Sequence, residues 1–570
     1  MSKKIKTDTI RHSLSHIMAA SVKELFPEVK FGIGPSIENG FYYDFDLKNI
    51  TPQDLPKIEK KMKEIIQKNI PFKKSVVSKA KAKKIFKDQK YKLELITDLP
   101  GKNATLYQSG DFTDLCKGPH VKSTKEINPQ AFKLTKIAGA YWRGKESNPM
   151  LKRIYGVAFE NKNDLEKYLK IQEEAEKRDH RLLGQKLELF MFDDEIGAGL
   201  PLWMPKGTTL RKTIENYLYR ELSLQGYNWV TTPHIAKLDL WKTSGHWNLY
   251  RENMYSPIKI DEEEYMLKPM NCPFHVKIYN SKIRSYKDLP LRYAELGTVY
   301  RYEKSGVLHG LTRVRGFTQD DAHIICTPGQ LTEELTKLLK SGIKMLKTFG
   351  FKDFDIYLST MPEKHAGDIQ GWTKATNVLK FVLNKLKLKY SVDPEGGVFY
   401  GPKIDIKVKD SLGRSWQCTT IQVDFNLPDK FKMVYIDEKG KKQTPNMIHR
   451  ALLGSLERFI GVLIEHYSGA LPLWLSPLQV WVIPIADRHK KYALKVAETL
   501  KADFRVEVKD ENETVSKKIR AGEIQKVPYL LVVGDTEMKK KTVRVRERGK
   551  GDTGEISITK FLQKIKKSLI

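Results

Sequence analysis

Residues 291–326 read LRYAELGTVYRYEKSGVLHGLTRVRGFTQDDAHIIC, a pattern that predicts a hairpin. Thr298, Val299 and Tyr300 predict a strand, Ser305-Gly306 a turn, and Leu311, Arg313, Arg315 and Phe317 a returning strand. Alternation then sets Arg313, Arg315 and Phe317 on one face, with Thr312, Val314 and Gly316 on the other. Two guanidinium forks and an aromatic ring on one face suit a polyphosphate that carries a base. The planar fork matches phosphate oxygens, and the ring stacks on adenine. The same pattern also fits an exposed hairpin with a solvated basic face, and the hairpin alone does not choose between them.

The rest of the chain narrows the choice. At 570 residues it exceeds what one core holds, so three or four domains are expected. No apolar run approaches the roughly 18–20 residues of a membrane span, and no membrane association is expected. The start, MSKKIKTDTIRHSL, lacks the apolar core of a secretion signal, so a cytoplasmic location is expected. The four cysteines, Cys116, Cys272, Cys326 and Cys418, lie far apart, which argues against a disulfide framework and leaves metal or catalytic roles open. A net charge of +31, from 100 Lys+Arg against 69 Asp+Glu, points to a polyanionic partner such as RNA, bound less tightly as salt rises. The lysine excess is spread along the whole chain, a pattern that a lysine-rich proteome also produces.

Four further words accompany the hairpin: KPMNCPFH (268–275), FYGPKID (399–405), WQCTTIQVDF (416–425) and MIHRALLGSLERFIG (447–461). The hairpin resembles motif 2 of the class II aminoacyl-tRNA synthetases, and all five words together are similar to the threonyl-tRNA synthetases. The resemblance implies an α+β multidomain chain. Residues 1–178 would form an α+β editing domain with a linker helix over 159–183. Residues 179–473 would form the catalytic domain on an antiparallel sheet, and 474–570 an α/β anticodon-binding domain. Residue patterns agree. The middle segment alternates short strands and helices with several hairpins, and after Pro472 and Pro477 strands and helices alternate as around a mostly parallel sheet. Bacterial members usually begin with a small ubiquitin-like domain before the editing domain. Here RHSLSH starts at Arg11, so that domain is expected to be absent.

In RHSLSH, His12 and His16 are spaced i, i+4 and share a helix face, while Cys116 and His120 sit in DLCKGPH beside a Gly-Pro turn. By ligand type alone these four make a zinc site, and a satisfied, partly buried helix face is the alternative. The words RHSLSH, GPSIENGFYYDFD (34–46) and DLCKGPH resemble the editing domain, where such residues line a pocket that hydrolyses seryl-tRNA made in error. That implies His12, His16, Cys116 and His120 as the lining, with Asp114, Tyr43 and Lys92 beside them. Hydrolysis is expected to run on an ordered water, helped by the imidazoles and the substrate's own ribose hydroxyl.

Spacing does not connect Cys272, His323 and His449. The resemblance does, implying one zinc ion per chain with an open position for the amino and hydroxyl groups of L-threonine. Asp321 would accept from the hydroxyl, with Gln319, Tyr400 and Gln422 also lining the threonine site. It implies Arg301 on the α-phosphate, Glu303 on the adenine amino group, Phe317 stacked on the ring and Arg458 on the γ-phosphate. Arg313, Lys403 and Gln417 support the ATP side, and Mg²⁺ enters with ATP. Motif 1, a helix near 210–225 followed by a strand and Pro233, would form a homodimer interface. Asn512, Glu537 and Arg546 would read the anticodon of tRNA(Thr), although the basic word KKKTVRVRERGKG also fits a phosphate-contacting edge. Phe274 stands where the family usually shows glycine, so its ring either narrows the amino-acid pocket or packs behind it. A catalytically silent RNA-binding paralogue is the alternative of a different class. Arg301, Glu303, Arg458 and the three zinc candidates have no reason to persist together in such a copy.

Overall fold

A computed structural model describes residues 3–569, which form two compact units, one ending at Glu173 and the other beginning at Glu174. No helix among the described residues is long and apolar enough to cross a membrane.

In the first unit the helix Lys3–Leu25 lies against the strand Gly40–Asp46, part of a five-stranded sheet. Residues 13–22 of that helix are buried all round. A helix so enclosed must satisfy its hydroxyls internally. Ser13 donates to the Thr9 carbonyl, Ser15 to the His12 and Gly34 carbonyls and Ser21 to the Ile17 carbonyl. Leu14, Ile17, Met18 and Val22 form the core with Phe41, Tyr43 and Phe45 of the strand. A second, three-stranded sheet joins Phe72–Ser78, Asn103–Ser109 and Phe112–Leu115, and its last strand leads into Cys116.

The expected linker helix is two helices. Lys162–Lys177 ends before Asp179, whose carboxylate caps a second helix, His180–Lys186, by accepting the Arg181 N–H at 2.8 Å.

The second unit is built on an eight-stranded sheet in the order 228–229, 291–300, 316–326, 446–455, 415–424, 403–409, 354–359 and 391–393. Its strands pair antiparallel except at the two ends. Even-numbered Ala322, Ile324 and Cys326 face a core shared with the helices Pro205–Leu224, Leu331–Thr348, Ile369–Lys385 and Leu456–His466. The odd-numbered positions of that strand are left for the opposite face.

The hairpin is present, but its return strand, Gly316–Cys326, begins later than alternation predicted. Arg313 and Arg315 fall in the loop before it, so the expected face of Arg313, Arg315 and Phe317 does not form. The cause is tertiary. The Arg315 N–H donates to the Gly199 carbonyl at 2.7 Å, and Leu311 is drawn fully into the core, lifting the loop off the sheet. The Arg315 side chain then turns back to the Glu303 carbonyl and Ser305 Oγ.

After Pro477 a five-stranded sheet runs Val506–Val508, Val480–Pro484, Tyr529–Val533, Thr542–Glu547 and Gly551–Ser557. Its first three strands pair parallel, the fourth pairs antiparallel to the third across the helix Asp535–Lys540, and the fifth pairs antiparallel to the fourth through a turn too short for a crossover. The expected mostly parallel sheet is therefore mixed.

Candidate functional site

On the sheet face away from the helices lies a cavity of about 400 Å³. The odd positions Phe317, Gln319, Asp321 and His323 line it, joined by Gln417, Thr420 and Gln422 and by His449 from the adjacent strands. Arg301, Glu303, Arg313, Lys403, Tyr400, Cys272 and Arg458 also line it, so every residue expected for ATP, threonine and the metal opens onto one cavity. A bulge shapes its floor. Between Gln319 and Asp321 the register shifts, leaving Leu452, Leu453 and Gly454 without strand partners, and the buried Asp320 carboxylate accepts all three of their N–H groups. Burial pushes its pKa up to about 6.

Cys272, His323 and His449 are buried, with one ligand atom each within 4.8 Å of the others. Their neighbours settle the imidazole protons. His449 Nε2 lies 2.8 Å from Asp424 Oδ2, which as a carboxylate accepts, so Nε2 carries the proton and Nδ1 is bare. By the same argument His275 Nε2, 3.1 Å from Glu295 Oε2, is protonated and its Nδ1 is bare. His323 stands between these two bare nitrogens, with Nδ1 2.8 Å from His275 Nδ1 and Nε2 2.9 Å from His449 Nδ1. A neutral imidazole has one proton to give. Burial holds His323 well below the usual imidazole range, so it does not gain a second. One of the two N···N contacts is left with two facing lone pairs, and in the tautomer where His323 donates to His275 it is His323 Nε2 to His449 Nδ1, beside Cys272. Two imidazole nitrogens and a sulphur around such a point fit zinc, with Asp424 and His275 orienting the ligands from behind.

Asp321 is held by Asn271 Nδ2 at 3.0 Å, and the Tyr400 hydroxyl donates to Gln422 at 2.6 Å while its ring stacks on His449. Arg301 lies over the Phe317 ring at 5.1 Å, and Glu303 accepts from Arg313 Nε at 3.1 Å. Arg458 Nε donates to the Thr312 carbonyl at 3.0 Å. Asp405 accepts from Lys403, Gln417 and Thr420 together, fixing three side chains at the cavity edge. Phe274 does not line this cavity. It packs in a cluster with Leu238, Trp241, Met254 and Met266, so its ring sits behind the pocket.

The first unit brings its own candidates together. His12 Nδ1 lies 3.2 Å from the Pro119 carbonyl, which can only accept, so His12 Nε2 is bare. Ser13 Oγ gives its proton to Thr9 and accepts from Val121; toward His120 Nδ1, 3.1 Å away, it can only accept, so His120 Nε2 is bare too. Both Nε2 atoms face Cys116 Sγ at 3.3 Å. Burial pushes His120 down to about 2 and the Cys116 thiol up to about 11, so neutral imidazoles face a protonated thiol that is a poor nucleophile. Behind them, buried Asp114 takes the Tyr43 hydroxyl at 2.5 Å and an ion pair from Lys92, with His16 at 3.8 Å.

The three anticodon candidates each make separate contacts. Asn512 is exposed, Glu537 caps its own helix by accepting the Gly534 N–H at 2.9 Å, and Arg546 reaches Glu523 at 3.5 Å. Sequence reasoning missed Asp424, His275, Asp405 and Thr420. Alternation along 415–424 places Thr420, Gln422 and Asp424 on one face, and i, i+3 spacing places His275 with Cys272, so the signals were present. His246, buried with Nε2 3.7 Å from Cys272 Sγ, carried no such signal.

Comparison with known proteins bears on both pockets. Residues 255–467 match the tRNA synthetase class II core domain (G, H, P, S and T), 479–568 an anticodon binding domain, and 104–155 the threonyl and alanyl tRNA synthetase second additional domain. A threonine–tRNA ligase of Sulfurihydrogenibium sp. is 54% identical over 98% of this chain and 88% of its own. One from Borrelia hermsii is 49% identical over 99% of this chain and 98% of its own. Among solved structures, the RNA-binding domain of threonyl-tRNA synthetase from Cryptosporidium parvum superposes with a TM-score of 0.66 at 41% identity, covering 69% of this chain and 98% of that one.

Proposed function

The chain belongs to the threonine–tRNA ligase family, and we propose that it charges tRNA(Thr) at the cavity of the second unit and hydrolyses seryl-tRNA(Thr) at the pocket of the first. The observation that carries this reading is the single cavity onto which all the expected ATP, threonine and metal residues open. Cys272, His323 and His449 would hold zinc, which when bound supplies an open coordination position for threonine. Asp321, kept in place by Asn271, accepts from the substrate hydroxyl, while Gln319, Tyr400 and Gln422 enclose it. Arg301 holds the α-phosphate, Phe317 stacks on adenine, Glu303 accepts from its amino group and Arg458 reaches the γ-phosphate, with Arg313, Gln417 and Lys403 alongside. The threonine carboxylate oxygen forms a bond to the α-phosphorus as the bond to pyrophosphate breaks in line. Positioning and charge do the work, with no protein nucleophile. Mg²⁺ entering with ATP would supply charge neutralisation for the departing pyrophosphate.

A pocket built for a hydroxyl strongly rejects valine. Serine keeps the hydroxyl and lacks one methyl, worth only about 1–3 kcal/mol, or roughly 10–200-fold. A second, hydrolytic pocket meets that shortfall. Two bare imidazole nitrogens beside a protonated thiol support a held water as the attacking group there.

We further place the editing domain at 1–178, the catalytic domain at 179–473 and the anticodon-binding domain at 474–570, with Asn512, Glu537 and Arg546 contacting the anticodon. Pairing of two copies would run through the helix Pro205–Leu224 and the strand after it, where Tyr219 and Leu224 are exposed. A cytoplasmic location suits these substrates. The test is amino-acid-dependent ATP–pyrophosphate exchange with metal analysis. Strong exchange with threonine, weaker with serine and none with valine, at one zinc per chain, is expected. No exchange in zinc-loaded protein would favour the RNA-binding paralogue instead.

A further inference from the structure

The word RDHRLLGQKLELF (178–190) has served so far only as the entry into the second unit. We propose that His180 within it is a positioning residue for ATP, acting through the loop that carries Leu311, Thr312 and Arg313. The inference rests on reading the cavity as the ATP site.

His180 is wholly buried, and both ring nitrogens are committed. Nε2 accepts the Leu311 backbone N–H at 2.9 Å, so the proton sits on Nδ1, which donates to Glu465 Oε1 at 2.6 Å. Asp179, His180 and Glu465 cluster closely enough to suggest a metal site, but no imidazole lone pair is left for an ion. Glu465 is pinned in turn, since its other oxygen takes Arg414 Nη2 at 2.6 Å. The residue after Leu311 completes the arrangement, because the Thr312 carbonyl accepts Arg458 Nε, and Arg458 shares the helix Leu456–His466 with Glu465.

These contacts close a ring from Glu465 through His180, Leu311 and Thr312 to Arg458 and back along one helix. Gly310 makes room for it, and Gly461 packs close beside it. A Cβ on Gly310, whose φ is +45°, would lie 2.2 Å from His180 Nε2, and one on Gly461 would lie 3.4 Å from His180 Cδ2. Thr312, Arg313 and Arg458 all line the cavity, whereas His180 does not. His180 therefore sets where the loop and the Arg458 guanidinium stand over the phosphates without touching ATP.

The experiment compares His180→Ala, His180→Asn and His180→Gln in the full chain, by ATP–pyrophosphate exchange with threonine. Asparagine keeps a donor for Glu465 but leaves the Leu311 N–H unpaired; glutamine extends an acceptor to that N–H. Alanine and asparagine are expected to lower kcat/KM for ATP by about 10- to 100-fold, the scale of a small misplacement of binding groups. Glutamine should recover most of it, with the threonine KM and the hydrolysis of preformed seryl-tRNA unchanged in all three. Equal exchange by asparagine and glutamine variants of matched melting temperature would overturn the inference. So would a threonine KM that moves as far as that of ATP. Parent-level exchange by all three overturns it while leaving the ATP site standing, and absence of exchange in the parent removes both.

Discussion

His323 Nε2 and His449 Nδ1 face each other at 2.9 Å across paired strands, with Asp424 on the far nitrogen of His449 and His275 on that of His323. Two such nitrogens beside the Cys272 sulphur could hold a metal ion, and the proposed function places zinc there. Cys272→Ser is therefore expected to lose zinc and, with it, threonine-dependent pyrophosphate exchange. Parent-level exchange by a zinc-free variant would refute the metal assignment.

Asp424→Asn keeps all three ligands and changes only what stands behind His449. Because the carboxylate fixes that ring's tautomer and raises its basicity, zinc affinity should fall about 10- to 100-fold. Competition with a chromophoric chelator measures it, and an unchanged affinity would remove Asp424 from the site.

The double variant His12→Ala, Cys116→Ala should activate threonine at the parent rate and let seryl-tRNA accumulate. The two pockets lie in separate compact units, so activation should be untouched, and circular dichroism with an unchanged melting profile serves as the folding control for the first unit. Clearance of seryl-tRNA at the parent rate would place editing elsewhere.

The first unit should weaken in acid. Burial holds His120 down at about 2, against 6.5 for the exposed group, so between those values the unfolded chain binds a proton that the folded one does not. This contribution is complete above pH 6.5 and lost as pH falls toward 2, by at most about 1.4 kcal/mol per pH unit. Buried His16 shifts the same way and adds to it. Urea titrations at pH 7 and pH 5 should show the loss, and His120→Gln should reduce it; a slope unchanged by that variant would exclude His120 as its source.

Phe274 packs in a cluster behind the cavity, so Phe274→Leu should cost stability, about 1–2 kcal/mol, and leave selectivity alone. A changed ratio of threonine to serine exchange would mean that the ring reaches the substrate after all.

What the sequence by itself determined was local and chemical. Patterning told that residues 291–326 form a hairpin, though not where its return strand begins, and i, i+4 spacing put His12 and His16 on one side of a helix, while the resemblance alone brought in Gln319, Asp321 and His323. Word-level similarity supplied the distant members of each site. Only the tertiary structure decided the rest, because it depends on register and burial between segments far apart in the chain. His323 stands opposite His449 through strand pairing across more than a hundred residues, and the Arg315 N–H leaves the hairpin for Gly199. His180 acts as it does because Leu311 N–H and Glu465 meet it from opposite sides. Proton positions follow the same rule. A histidine in a sequence has two equivalent choices of tautomer, and the acceptor or donor that folding brings to each nitrogen removes one of them.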